Sequence, residues 1–306
     1  MCPGQGAQKV GMGKDLADRF PAARAVFAAI DEALDAPLSR IMWDGPEEEL
    51  TRTHNAQPAI LAHSAAVLAV VDGALGRPAA ALGHSLGEYS GYVAAGSLSA
   101  TDAARLVRRR GQLMYEAGLA RPGAMAAVLG LDTAEVEAAC REASEDGGVA
   151  VPANLNTPEQ TVISGDPDAV ARAGEGCRAR GAKRVVPLKV SGAFHSPLMQ
   201  PAVAGLRAAL TEAGFRDPGS PVVANATAEP VSSAADAVRT LAEQLTAPVR
   251  WVECVRRAGT LAPGATFLEI GPGNVLAGLL KRIAPEAKAT TLGTADEVER
   301  FLSLRW

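Results

Sequence analysis

Gly83-His84-Ser85-Leu86-Gly87 follows the short apolar run Ala79 to Leu82 and directly precedes a helix-like segment. That layout commits the chain to a fold able to hold a strand-to-helix elbow. A serine is thrust out of so sharp a turn only when the residues two positions away on either side lack bulk, because the bent backbone presses both flanks against the adjoining strand and helix. Gly83 and Gly87 supply that clearance. The same turn aims the N–H of Leu86 at the point where an oxyanion forms, with the dipole of the following helix behind it. Ser85 is the expected nucleophile and Leu86 an expected oxyanion donor.

A serine nucleophile needs a base, and the chain offers four histidines. His84 adjoins Ser85 and in a tight turn points away from it. His63 lies in the apolar helix pattern from Pro58 to Val71 and reads as a hydrogen-bonded core histidine, while His54 sits in a polar loop and reads as solvated. His195 ends the apolar, strand-like stretch from Val190, with Pro197 near the first turn of a following helix. The end of a strand leading into a capped helix is a common address for catalytic groups in α/β folds, so His195 is the expected base.

Between Gly123 and Val190 the pattern reads strand (Met125 to Gly130), helix (Thr133 to Ser144), strand (Val149 to Leu155), strand (Gln160 to Ser164), helix and strand (Arg184 to Val190). This βαββαβ order is that of a ferredoxin-like unit. Its second helix has Asp166 as N-cap, Pro167 at the first position and Gly181 beyond its end. The flanks, residues 1–122 and 191–306, alternate longer helices with apolar runs such as Pro221 to Ala226 and Thr266 to Ile270, the habit of a parallel sheet covered on both faces. An α/β fold with a smaller inserted subdomain at 123–190 is expected.

Composition narrows the chemistry. With 306 residues, 48% of them hydrophobic, the chain can bury a substantial core, and its net charge of −4 argues against nucleic acid, which is bound by neutralising phosphates. The N-terminus has no charged-then-apolar export signal, and Pro58 to Val71, interrupted by His63 and Ser64, is too short to span a bilayer. A cytoplasmic protein with no membrane contact is expected. Cys2, Cys140, Cys177 and Cys254 lack metal-site spacing and read as small apolar packers. Gly6 to Lys14 fails the phosphate-loop pattern because Asp15 follows the lysine, and Gly271-Pro272-Gly273 reads as a structural turn. No metal and no permanently bound cofactor is expected.

Several further stretches carry a resemblance: Pro3-Gly4-Gln5-Gly6-Ala7-Gln8, Gln57-Pro58-Ala59, Gly83 to Gly96, Arg109-Arg110-Gly111, Gly123 to Ala127, Gly192 to Met199, Gln244 to Trp251 and Glu269 to Gly273. In this order and spacing the chain resembles the malonyl-CoA:acyl-carrier-protein transacylases and the related acyltransferase domains of polyketide synthases. The resemblance implies an α/β-hydrolase-like large subdomain carrying the ferredoxin-like one, with the site in the cleft between them. It implies Ser85 as acyl carrier, His195 as base, the N–H of Gln5 as second oxyanion donor beside Leu86, and the main-chain carbonyl of Gln244 holding the histidine. It makes Arg110 the reader of a malonyl carboxylate, a task suited to a planar bidentate cation. Phe194 becomes the size gate against an α-methyl branch. Gln57 and Asn154 are candidates for lining the acid pocket, with a structural role the alternative for each. The implied substrate is malonyl-CoA and the implied partner a phosphopantetheinylated acyl carrier protein met by a monomer. Arg108-Arg109-Arg110, Lys183-Arg184, Arg256-Arg257 and Lys281-Arg282 are a possible basic docking face, although any one such pair more often is merely solvated.

One departure stands out. Family members carry a buried strand before Pro-Gly-Gln-Gly, whereas this chain reads Met1-Cys2-Pro3. Either the start is trimmed or a central strand is lost, and a lost strand is expected to leave unpaired groups on its neighbours and to loosen the Gln5 loop. Other functions fit less well. An ordinary esterase shares the elbow but expects an acidic triad member and no arginine in its acyl pocket; an acyl hydrolase acting on carrier proteins keeps serine and histidine without Arg110; a docking module without activity loses Ser85 or His195. That acyl hydrolase and a transferase for another extender unit are the two alternatives kept.

Overall fold

The computed structural model describes residues 1–145 and 147–304, so that the last two residues of the expected 191–306 segment lie outside the described ones. Its central element is the helix Thr53–Leu75, packed against the helices Pro21–Leu34, Ala100–Ala120 and Ala295–Ser303. The helix starts five residues before Pro58, not at it. The ring costs the bond to the carbonyl four residues back, but the extra turn buries Asn55 and Gln57 against partners: Arg108 donates to Asn55, Arg110 to Gln57. Pairing buried polar groups overrides the local stop signal. At 23 residues this helix is long and apolar enough to cross a membrane, contrary to the short stretch expected, yet it is buried inside the chain's own core. His54 sits in its first turn rather than in a loop, its ring edge-on to Tyr115 with centroids 5.5 Å apart.

Strand Ala81–Leu82 runs parallel to Val222–Val223, which pairs antiparallel with Pro230–Val231. Phe267–Ile270 runs parallel to Ala289–Leu292. Met1 and Cys2 join these two sheets: Cys2 N–H donates to the Leu82 carbonyl and Ile270 N–H to that of Met1, with His84 N–H on the Cys2 carbonyl. The expected loosening near Gln5 is therefore absent, since two residues suffice to stitch both neighbours and the loop that follows is held in place. Beside Met1 lies a cavity of about 150 Å³ lined by Ala80, Phe267 and other apolar groups.

Residues 124–187 form a four-stranded antiparallel sheet of strands Ala124–Leu129, Ala150–Thr157, Gln160–Gly165 and Arg184–Pro187. In chain order its strands lie second, third, first, fourth across the sheet, and helices Thr133–Glu145 and Pro167–Ala179 pack together on it around Val128, Ile163 and Cys177. Asp166 precedes the second helix, but its carboxylate takes Val149 N–H and a bidentate Arg121 instead of capping. The chain enters and leaves this unit through two crossings that touch backbone to backbone. A Cβ on Gly118 would lie 2.2 Å from the Ser191 carbonyl oxygen, and one on Gly123 would lie 2.5 Å from Ala193 Cβ.

The returning crossing corrects one expectation. Residues 188–196 are irregular, followed by a short 3-10 turn at Pro197–Met199 and the helix Gln200–Glu212, so His195 does not end a strand. The segment bends against Gly118 instead of finding a strand to pair with.

Candidate active site

The elbow forms for the steric reason its glycines suggest. A Cβ on Gly83 would fall 1.9 Å from the Gly87 carbonyl oxygen, and one on Gly87 would fall 2.1 Å from that of Cys2. Ser85 at the apex has φ of 52°, a left-handed conformation that costs a non-glycine residue about 1–2 kcal/mol. Asn225, just beyond strand Val222–Val223, holds that bend: its Oδ1 accepts from Ser85 N–H at 2.7 Å and its Nδ2 donates to the Gly83 carbonyl at 2.7 Å.

Ser85 Oγ lies 2.7 Å from His195 Nε2, and His195 Nδ1 lies 2.9 Å from the Gln244 carbonyl oxygen. With Nδ1–H given to a carbonyl, the Nε2 lone pair faces the serine hydroxyl. Burial, reinforced by the charge of Arg110, lowers the His195 pKa to about 3, so the ring is neutral at pH 7 and its Nε2 lone pair is unprotonated. His195 too has positive φ, 57°.

Arg110, on the helix Ala100–Ala120, is 1% exposed, unlike its neighbours Arg108 and Arg109. It donates to Gln57 Oε1 (2.7 Å), Gln244 Oε1 (2.9 Å) and Ser85 Oγ (3.2 Å), and lies over the Tyr89 ring at 5.6 Å. Every one of these partners is neutral; among the described residues no carboxylate forms an ion pair with it. Gln57 is further fixed by Thr53 Oγ1, which also donates to Gln5 Oε1 at 2.9 Å. Among the described residues no acceptor engages the N–H of Leu86 or of Gln5. A cleft of about 650 Å³ opens beside Gln5, Thr53, Tyr115 and Val190.

The structure thus brings Ser85, His195, Arg110, Gln57 and Gln244 into one hydrogen-bonded cluster, with Leu86 and Gln5 on the elbow and the loop packed against it. Phe194 is buried next to His195. Asn154 stands apart: it pairs with Val162 and bridges to Val249 through its backbone, and no hydrogen bond of its side chain reaches the cluster. Its neighbour Asn156 takes His84 Nε2 instead, with His84 packed on Trp251. Sequence reasoning missed Asn225 and Glu88. The Gln244 side chain was missed as well, for its Nε2 donates to Ser85 O (3.0 Å) and to Glu88 Oε2 (2.7 Å). A carboxylate one residue past the elbow glycine was the available signal for Glu88; Asn225, at the end of an apolar run, gave none. Among the described residues there is no cluster of side chains suited to a metal ion.

Residues 1–300 match the family described as acyl transferase domain. The malonyl CoA-acyl carrier protein transacylase of Bacillus subtilis is 44% identical over 97% of this chain and 93% of its own length; that of Escherichia coli is 44% identical over 99% and 97%. Among solved structures, an acyl carrier protein S-malonyltransferase from Vibrio cholerae superposes with TM-score 0.93 at 40% identity, covering 97% of each chain. A type II polyketide-synthase malonyl-transacylase, solved in complex with its holo acyl-carrier protein, superposes with TM-score 0.93 at 42% identity, covering 98% of this chain and 97% of that one.

Proposed function

Since the chain belongs to the acyl transferase domain family, we propose that the Ser85–His195 pair carries a malonyl group from malonyl-CoA to the phosphopantetheine thiol of an acyl carrier protein. The observation that carries this reading is Arg110, a buried cation with only neutral partners, 3.2 Å from the nucleophile. The Glu88 carboxyl acts on Arg110 through space without bonding to it; a malonyl carboxylate would supply a directly bonded counter-charge, which a guanidinium can take through two parallel hydrogen bonds.

The reaction runs in two symmetrical halves. Ser85 Oγ attacks the thioester carbonyl as its proton passes to His195 Nε2, and the tetrahedral oxyanion is met by the free N–H groups of Leu86 and Gln5. Collapse breaks the C–S bond, the proton returns from His195 to the departing sulfur, and free CoA leaves an ester on Ser85. The carrier-protein thiol enters through the cleft beside Gln5, gives its proton to His195 and attacks the ester carbonyl; Ser85 then leaves with that proton. The Gln244 carbonyl replaces the acid of a triad by fixing the ring through Nδ1. Segments 1–122 and 191–306 act as the body that carries Ser85, Arg110 and His195, and 123–190 meets the cleft at Lys189 and Val190. The protein acts as a cytoplasmic monomer without a resident cofactor.

Intact mass spectrometry after mixing with malonyl-CoA, methylmalonyl-CoA or acetyl-CoA tests this reading. A retained malonyl adduct that transfers to a carrier protein is expected. Free acid produced without an acceptor at the rate of loading would make the protein a hydrolase instead.

A further inference from the structure

Glu88 is fully buried, ionisable, and unused by the chemistry above. It sits in the first turn of the helix Gly87–Ala94, and its Oε2 accepts two bonds, from Asn225 N–H at 2.9 Å and from Gln244 Nε2 at 2.7 Å. Those two residues hold everything that reacts. Asn225 grips the elbow on both sides of the bend, through Ser85 N–H and the Gly83 carbonyl. Gln244 holds His195 through its carbonyl, Arg110 through Oε1 and the Ser85 carbonyl through Nε2.

We propose that Glu88 is a positioning residue for acyl transfer, a single acceptor whose oxygen fixes the Gln244 amide and the Asn225 backbone and thereby sets Ser85, His195 and Arg110 in register. This rests on the acyl-transfer reading of the same site. An amide has two ends, and the Gln244 nitrogen is claimed by two acceptors, Glu88 Oε2 at 2.7 Å and the Ser85 carbonyl at 3.0 Å, which leaves its oxygen for Arg110. Without Glu88 the amide nitrogen keeps only the longer bond to the Ser85 carbonyl, and the Gln244 side chain that Arg110 leans on is held less firmly. The hydrogen bonds of the carboxyl reach the reaction only through Gln244 and Asn225.

The test compares wild type, Glu88→Ala and Glu88→Gln by the burst of CoA released on mixing with malonyl-CoA. Burst amplitude counts competent sites and burst rate reports loading per site. Glu88→Ala is expected to load 10- to 100-fold more slowly per competent site, with KM for malonyl-CoA shifted less than threefold. Glu88→Gln, which keeps an acceptor oxygen, is expected to recover most of that rate. A purely structural role lowers amplitude and melting temperature but leaves the rate per competent site alone; that result overturns the proposal, as does a Glu88→Gln rate no better than that of Glu88→Ala. Should Glu88→Ala not fold, Glu88→Asp takes its place, its oxygen drawn back by one methylene, with a loss of at least fivefold expected and an unchanged rate overturning the proposal. A wild type that gives no burst at all refutes acyl transfer itself, which keeps the two failures apart.

Discussion

Ser85 and His195, whose Oγ and Nε2 lie 2.7 Å apart, are both held in left-handed backbone, at φ of 52° and 57°. The strain sits on the two residues that must meet, and other groups hold it there: Asn225 on the serine and the Gln244 carbonyl on the histidine.

Replacing the nucleophile separates strain from chemistry. Ser85→Ala and Ser85→Gly should both abolish the acyl adduct seen by mass spectrometry, because neither leaves an oxygen to acylate. Ser85→Gly should nevertheless unfold at higher urea than Ser85→Ala, by up to about 1 kcal/mol, since glycine alone occupies the left-handed region without penalty. An adduct on either variant refutes the assignment.

Arg110→Ala leaves the malonyl carboxylate unpaired in a desolvated site, a loss of about 3–5 kcal/mol. Malonyl transfer should therefore fall by orders of magnitude, while acetyl-CoA, which brings no charge, should be accepted relatively better. Arg110→Lys should be nearly as poor, since an ammonium cannot reach Gln57, Gln244 and a carboxylate together with the geometry of a planar fork. The measurement is the ratio of kcat/KM for malonyl-CoA and acetyl-CoA; an unchanged ratio removes Arg110 from acyl recognition.

Phe194 is buried and directly precedes the base in the chain, and the family resemblance casts it as the gate against an α-methyl branch. Phe194→Ser should narrow the preference for malonyl over methylmalonyl by about tenfold, the scale on which one methyl group is discriminated in an apolar pocket. Competition between the two CoA esters for wild type and variant checks this, and equal loading of both by the wild type would contradict it.

Stability should fall with acid in a defined window. His195 has its pKa lowered from 6.5 to about 3, and His63, buried against the Gly293 carbonyl, from 6.5 to about 4, both chiefly by burial. Between those values and 6.5 the unfolded chain binds more protons than the folded one, so stability is complete above pH 6.5 and is lost as pH drops, at about 1.4 kcal/mol per pH unit for each group. Glu88 works in the opposite sense, because burial raises its pKa from 4.5 to about 7 and the folded chain holds the extra proton in between. Urea unfolding at pH 7, 6 and 5 should show a net decline for wild type and a steeper one for Glu88→Gln, which lacks the opposing group.

What could be read from residues alone was what depends on short-range sterics. Gly83 and Gly87 announce a close approach wherever the elbow lies, and the strand runs Met125 to Gly130 and Gln160 to Ser164 need no partner to be visible. Arg110 looked by helical spacing like the third of three exposed arginines, and only the motif set it apart; its burial depends on Gln57 and Gln244, which lie 53 and 134 residues away. His195 was found for a partly mistaken reason, as a strand end that is in fact an irregular crossing. The hub at Glu88 and Asn225 was invisible because its meaning lies in contacts separated by more than a hundred residues.

The two crossings that clasp each other at Gly118 and Ser191, and at Gly123 and Ala193, give the molecule a neck, and His195 stands four residues beyond one of those contacts and two beyond the other. The hairpin turn Pro158-Glu159 at the other end of the unit is tied to the elbow as well, because Asn156, two residues before it, lies 2.8 Å from Nε2 of His84, the neighbour of the nucleophile. One residue added between Leu188 and Phe194 displaces the chain by about 3.5 Å, more than the whole span of the serine–histidine hydrogen bond. The small unit is thus pinned to the reacting pair from two sides, at the neck before His195 and at Asn156 beside His84, so a change of chain length at either place is felt where the serine and histidine meet.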